Sequence, residues 1–152
     1  MVYILAMVMK MKNSKDILSS ILKTTQMGQV GIRSVLDTSM RPGLRKALES
    51  QLREYDSIET EAHSIAAQRG WELEELDPAL RLMSDMATRM KLRGKNTDSK
   101  IAGMMIQGNT RGMIKGLKNL HQFPESDGQV STLSQKLLDC ENANIRQMQG
   151  FL

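Results

Sequence analysis

One cysteine in a chain of 152 residues excludes a disulfide framework, and it excludes a zinc cage built from thiolates. Three prolines and eleven glycines are too few for a collagen-like or proline-rich chain. Two histidines, His63 and His121, leave no Ser/His/Asp or Cys/His arrangement to build on. Aromatic residues amount to 3%, with none interleaved among the basic residues to stack on bases. No apolar run is long enough to cross a bilayer. The longest, residues 1–11 (MVYILAMVMKM), has about half the necessary length. No basic residue precedes it and no small-residue cleavage pattern follows, so it does not read as an export signal. The expected location is therefore the cytoplasm. Met7, Met9 and Met11 are alternative translation starts. Residues 1–12 read as an extension outside the core, with a docked strand or turn and a membrane-surface anchor as the other readings.

What is present points to one helical domain over residues 13–152. An apolar content of 40% beside 25% charge is the composition of a folded chain. From Asn13 onward the apolar residues recur with a period near 3.6 and almost never alternate, so no strand is expected. Asn13 and Ser14 offer a cap for the first helix, with Asp16 in its first turn. Its inward stripe is Leu18, Ile21, Leu22, Ile32, Val35 and Leu36. Arg41-Pro42-Gly43 breaks it, and Pro42 suits the first turn of a second helix running to a capping Gly70. That helix carries Leu44, Leu48, Leu52, Tyr55, Ile58, Ala62 and Ile65 on one face. Pro78 opens a shorter helix with Met83, Met86 and Met90. Asn96-Thr97-Asp98 forms a cap cluster before a helix from Ile101 to Leu120. After the break from Phe123 to Gly128, the last helix carries Val130, Leu133, Leu137, Ile145 and Met148 and ends near Gly150. Two hairpins separated by the stretch from Trp71 to Asn96 predict an all-α, ferritin-like four-helix bundle. The short helix then lies in the long crossover between bundle helices 2 and 3; an up-down bundle with a protruding short helix is the alternative.

Polar residues interrupt each apolar face near its midpoint: Gln29 on the first helix, Glu59 with Gln51 and Tyr55 on the second, Asn109 on the next, and Glu141 with Asn144 on the last. Midpoints of roughly equal helices share one level, so these residues predict a polar layer in an apolar core. A buried carboxylate or amide without partners costs several kcal/mol, so the layer must be hydrogen-bonded internally or hold an ion. Di-iron bundles place one Glu on each of two helices and a Glu-x-x-His pair on each of the others. The matching slots here read Gln29, Glu59, Asn109 and Glu141-x-x-Asn144. Two carboxylates without imidazole are too few donors for iron or manganese. The layer is therefore expected to be structural and degenerate as a metal site, with no cofactor. An altered metal site and a small-ligand pocket are the other readings.

The segment Ile101-Ala102-Gly103-Met104-Met105-Ile106-Gln107-Gly108-Asn109-Thr110, the Met-bearing short helix and the closing Glu141-Asn142-Ala143-Asn144-Ile145 resemble a group of small, Met-rich bacterial ferritin-like proteins of unknown function. The resemblance spans most of the chain from about Lys12 and implies the ferritin-like fold. Members of that group tend to carry Glu near positions 103 and 107, where this chain has Gly103 and Gln107. The departure argues against a metal role implied by the resemblance.

Other features have plain readings. Cys140 flanks the last stripe as a small hydrophobe, and the helical spacing of Met83, Met86 and Met90 suits core filling. Gly108, Gly112 and Gly116 recur every fourth residue, and each costs about 1 kcal/mol against Ala in a helix. Close approach of another backbone, in the same chain or a second subunit, is the simplest reason. Between Glu54 and Asp77 the charges are acidic except for Arg69; between Arg89 and Lys118 they are basic except for Asp98. Arg111, Lys115 and Lys118 share a face, but a net charge of +4 is small for a phosphate-backbone binder. The first functional expectation is a non-enzymatic ferritin-like bundle acting through self-association, as a homodimer or other homo-oligomer, or through protein binding. A metal-binding protein with an unusual site around Glu59 and Glu141 comes second, and a basic DNA-associated bundle third. No membrane or nucleic-acid partner is expected, and a metal ion is not favoured.

Overall fold

Four long helices carry out the period seen in the sequence: α1 (Val2–Val35), α2 (Pro42–Arg69), α3 (Thr97–Gln122) and α4 (Gly128–Gln149). The computed structural model describes residues 2–80, 87, 88, 92–124 and 127–152, and for residues 10–12 the backbone alone. No strand occurs among the described residues, and no described helix is long and apolar enough to cross a membrane. Pro78–Leu80 and Ala87–Thr88 are helical, while Met83, Met86 and Met90 lie outside the described residues.

Side-chain contacts fix how the helices run. Arg45, in the first turn of α2, donates to the carbonyls of Leu36 at 2.6 Å and Thr38 at 3.0 Å, so it satisfies acceptors left at the end of α1. This tie makes α1 and α2 an antiparallel hairpin. Across the α3–α4 hairpin, Gly112 faces Glu141 and Gly116 faces Leu138. The hairpins meet with α2 beside α4 and α1 beside both α3 and α4. Along the α2–α4 seam, Gln51 pairs with Gln147 near one end and Arg69 with Asp127 at the other. Asn119 of α3 donates to Ser20 of α1 at 3.1 Å. The interior is filled by Leu18, Leu22 and Ile32 of α1, Leu44, Leu48 and Ile58 of α2, Ile101 of α3 and Val130, Leu133 and Met148 of α4. Each such burial stabilises the fold by about 1.5–3 kcal/mol relative to exposure.

The segment after α2 travels along α1. Its Glu74 amide donates to Ser19 at 3.2 Å and its Leu76 amide to Gln26 at 2.8 Å. It leaves the end marked by Arg69 and Asp127. Where α3 begins, Asp98 pairs with Arg41 at 2.6 Å, at the opposite end. The connection therefore runs from one end of the helices to the other.

Two local expectations are corrected. The first helix does not start at Asn13 and Ser14; α1 is continuous from Val2, because no residue before them breaks a helix. Ser14 instead accepts the amide of Asp127 at 2.8 Å and ties α1 to the start of α4. Residues 2–9 continue α1 as an exposed apolar arm. At α3, Asn96 adopts a left-handed φ of 62° without a side-chain cap, and Asp98 is committed to Arg41.

Asp127 caps α4 by accepting from the amides of Gln129 at 2.9 Å and Val130 at 3.3 Å, and it pairs with Arg69 at 2.8 Å. Partial burial raises its carboxyl, but Arg69 and these amides outweigh that effect and hold it below the ordinary value. Asp127→Ala is expected to cost about 1–2 kcal/mol in urea unfolding at neutral pH. Because the folded carboxyl is the stronger acid, its stabilisation is complete above the ordinary value near 4 and lost as pH falls through the lower folded one. The gap between wild type and variant should close in acid.

Candidate ligand-binding site

Each hairpin sets a polar side chain against a helical glycine. In the first, the ring of Tyr55 lies over Gly28, where an added Cβ would stand 2.6 Å from the ring carbons. In the second, the carboxyl group of Glu141 lies over Gly112, where an added Cβ would stand 2.7 Å from its Cδ. Neither site has room for a methyl group while the facing side chain stays where it is, so an alanine there would displace the Tyr55 ring or the Glu141 carboxyl.

Tyr55 and Glu141 then have different fates. The Tyr55 hydroxyl donates to Asn109 Oδ1 at 2.8 Å, and Asn144 Nδ2 donates to the same oxygen at 3.4 Å. Asn109 returns its own Nδ2 to the Met105 carbonyl at 2.7 Å. One turn from Tyr55, Gln51 Nε2 donates to Gln147 Oε1 at 2.8 Å. Gln51, Tyr55, Asn109 and Asn144 thus form a buried polar centre across α2, α3 and α4. Glu141 adjoins it with 1% exposure, yet neither carboxyl oxygen has a hydrogen-bond partner, and neither does Gln51 Oε1. Burial pushes the Glu141 carboxyl up to about 8, so it carries its proton at neutral pH. Burial, reinforced by Glu141, also drives the Tyr55 hydroxyl well above its usual range. The Cys140 thiol donates to Glu54 at 3.0 Å; burial first and this bond second push it up, which keeps it protonated and unreactive.

Gln29 and Glu59 do not join this centre. Gln29 Nε2 donates to Asp56 at 2.8 Å and to Glu59 at 3.4 Å, and Gln26 donates to Glu59 at 3.3 Å and Glu75 at 3.5 Å. The expected single layer is therefore two clusters, one central and one on the α1–α2 seam. The four residues from Tyr55 to Glu59 turn the helix by about 40° past a full turn, enough to swing Glu59 out to the seam.

Beside the central cluster, a cavity of about 540 Å³ opens between α1 and α3. Gln51, Tyr55, Asn109 and Glu141 form its polar inner wall. Ile32, Met27, Met104 and Met105, with Leu76 and Leu80 from the connecting segment, supply apolar sides. Lys23, Arg111 and Lys115 line its outer part; Arg111 and Lys115 are exposed, and Lys23 pairs with Glu74 at 2.6 Å. Gly108 also faces the cavity, and an added Cβ there meets nothing within 4 Å. The glycine series thus admits side chains rather than a backbone: Gly112 seats Glu141, Gly116 seats Leu138, and Gly108 adjoins open space. The sequence carries no signal for Leu76 or Leu80 in the wall: Leu76 lies between helices, and the short helix opened by Pro78 is read from its methionines alone. It groups Arg111 and Lys115 as a surface stripe without their cavity.

Metal-binding chemistry finds little here. Among the described residues no three His, Cys, Asp or Glu side chains gather to hold an ion. His63 lies 3.6 Å from Glu75 on the surface, and His121 is exposed at the end of α3.

No protein-family model matches the chain, and no curated protein matches it. Among solved structures it is similar to a DUF305 fragment from Deinococcus radiodurans, with a TM-score of 0.73 and 14% identity, over 91% of this chain and 93% of that one. Such a likeness shows a shared all-α fold and nothing more. The chain is an all-α protein with a structural neighbour of unknown function.

The glycine seats are tested by paired substitutions. Gly112→Ala is expected to lose about 1–3 kcal/mol of stability through the clash with Glu141. Gly108→Ala, on the same helix, should gain up to about 1 kcal/mol. Equal effects in urea titrations would contradict the assignment of space. Glu141 supplies a second test. Its folded carboxyl titrates near 8 against an ordinary 4.5, so wild type loses stability as pH rises between those values and is flat above. Glu141→Gln lacks this loss and should overtake wild type by up to a few kcal/mol by pH 8.

Proposed function

We propose that this chain is a ferritin-like four-helix bundle that binds a small organic molecule in the cavity between α1 and α3, without transforming it. The end-to-end connection between the two hairpins supports the topology. One observation carries the function: three buried polar atoms, on Glu141 and Gln51, have no protein partner and belong to residues lining an otherwise largely apolar cavity. Leaving such groups unsatisfied costs about 1–3 kcal/mol each, more for a charge, and a bound molecule that supplies partners recovers that cost. The cavity volume lies in the ordinary range for small-molecule sites. In this reading the metal slots of a di-iron bundle have decayed to amides, and the interior has become a ligand pocket.

Anilinonaphthalene sulfonate, an apolar anion whose fluorescence rises in dry surroundings, is a suitable first probe. It should bind the wild type at one site, and Gly108→Phe, which projects a ring into the cavity, should weaken it at least about tenfold. Undiminished binding in the variant would move the probe site elsewhere.

A second reading, self-association, is favoured by the arm. Val2, Tyr3, Ile4, Leu5, Met7, Val8 and Met9 are between 56% and 86% exposed on a continuous helix, a patch that pairing of two copies would cover. Sedimentation velocity should show a dimer or larger species that becomes monomeric when residues 2–9 are removed.

A further inference from the structure

The cavity has a chemical polarity that defines its ligand more narrowly. On the inner wall the donors are already used: Tyr55 and Asn144 donate to Asn109, Asn109 to Met105, and Gln51 to Gln147. What lacks a protein partner is Glu141 Oε1 and Oε2 and Gln51 Oε1, and all three are acceptors once Glu141 is ionised. Three unpartnered acceptors on residues of the cavity wall call for a donor-rich group that reaches in to them, and a primary ammonium carries three N–H donors. A divalent metal fits poorly, because Glu141 would be its sole carboxylate and Cys140 is bonded to Glu54. The outer part has the opposite character, with Arg111 and Lys115 exposed beside Lys23. A cation alone would be repelled on entry, whereas an acid group would be held there. Between the two ends, Met27, Met104, Met105 and Ile32 offer an apolar sleeve.

Resting on the cavity reading above, we propose that the ligand is an elongated zwitterionic amine, its ammonium on Glu141 and Gln51, its aliphatic body between the methionines, and its acid group on Arg111 and Lys115. Binding then requires Glu141 to surrender its proton to solvent, since only the carboxylate pairs with an ammonium. The ionisable groups that interact with Glu141 are Tyr55 on α2 and Cys140 on α4; Glu54 on α2 takes the Cys140 thiol, and Lys23 on α1 with Arg111 and Lys115 on α3 line the same cavity. Burial keeps Tyr55 and Cys140 neutral through pH 8, so neither supplies that proton.

Three compounds with chains of similar length separate the possibilities in isothermal titration of the full chain: ε-aminocaproate, hexamethylenediamine and adipate. The zwitterion should bind about tenfold or more tightly than either symmetric compound, the equivalent of one charge-assisted hydrogen bond. Its affinity should rise up to about tenfold per pH unit from pH 6 towards 8, with proton release, and level off above. Glu141→Gln should remove that pH slope and at least nine-tenths of the affinity while circular dichroism shows an unchanged fold. Arg111→Met with Lys115→Met should bring the diamine level with the zwitterion. Preference for adipate, or affinity that falls with rising pH, would overturn the proposal, because a protonated Glu141 would then be donating to an anion. Calcium or manganese binding that depends on Glu141 and excludes the amine would overturn it as well. If the fluorescent probe binds and Gly108→Phe blocks it while no amine binds, the ligand class is wrong and the cavity reading survives. If neither probe nor amine binds, both fall.

Discussion

Polar side chains reach the middle of these helices because two Cβ atoms are missing. Gly28 makes room for Tyr55 inside the first hairpin, and Gly112 makes room for Glu141 inside the second. An alanine at either place would require the facing side chain to withdraw, and the polar centre could not keep its present form. The chain accepts about 1 kcal/mol of helix propensity at each glycine, and the expense recurs at Gly108, where nothing fills the space gained. The first two glycines therefore position groups, and the third enlarges a cavity. This division ties local helix energetics to the polar centre and the cavity beside it.

Burial gives Tyr55 and Glu141 contrasting energetics. Tyr55 keeps its proton and uses it to hold Asn109, which also takes the Asn144 amide. That junction couples α2, α3 and α4, and with every strong donor matched it resists rearrangement. Glu141 has no such settlement. Loss of solvation raises its carboxyl towards neutrality, which lowers the cost of burial without removing it. A group so placed trades stability for responsiveness, because a partner that supplies donors regains what folding left unsatisfied.

Helical period located the elements well. The core stripes from Leu18 to Ile32 and from Leu44 to Ile65 are buried save for the half-buried Leu52, the break at Pro42 opens α2, and Gly70 closes it in a left-handed turn at φ 66°. The start of α1 was not legible, since Asn13 and Ser14 have capping side chains whether or not the helix begins there. Ser14 is used instead as an acceptor for Asp127. The polar residues were legible in depth and not in direction. Tyr55 and Glu59 are one turn apart on the same broad face, and a stripe wide enough to contain both cannot say which meets α3 and which meets the seam. That choice is made by neighbours: Gly28 and Asn109 receive Tyr55, while Gln26 and Gln29 receive Glu59.

The cavity lay beyond the reach of periodicity for a further reason. Its apolar wall draws on Leu76 and Leu80, which follow α2 in a connection held to α1 by the Glu74 and Leu76 amides. Those amides bond to Ser19 and Gln26, buried polar residues of α1 that fall outside its apolar stripe. Gln26 thus does two things. It fastens the connecting segment through its carbonyl oxygen and reaches Glu59 through its amide nitrogen, joining the seam cluster to the strap that flanks the cavity. A loss at Gln26 would therefore be felt at the cavity although its side chain does not line it, because the segment carrying Leu76 would lose its anchor. The cavity depends on the α1–α2 seam as much as on the glycines of α3.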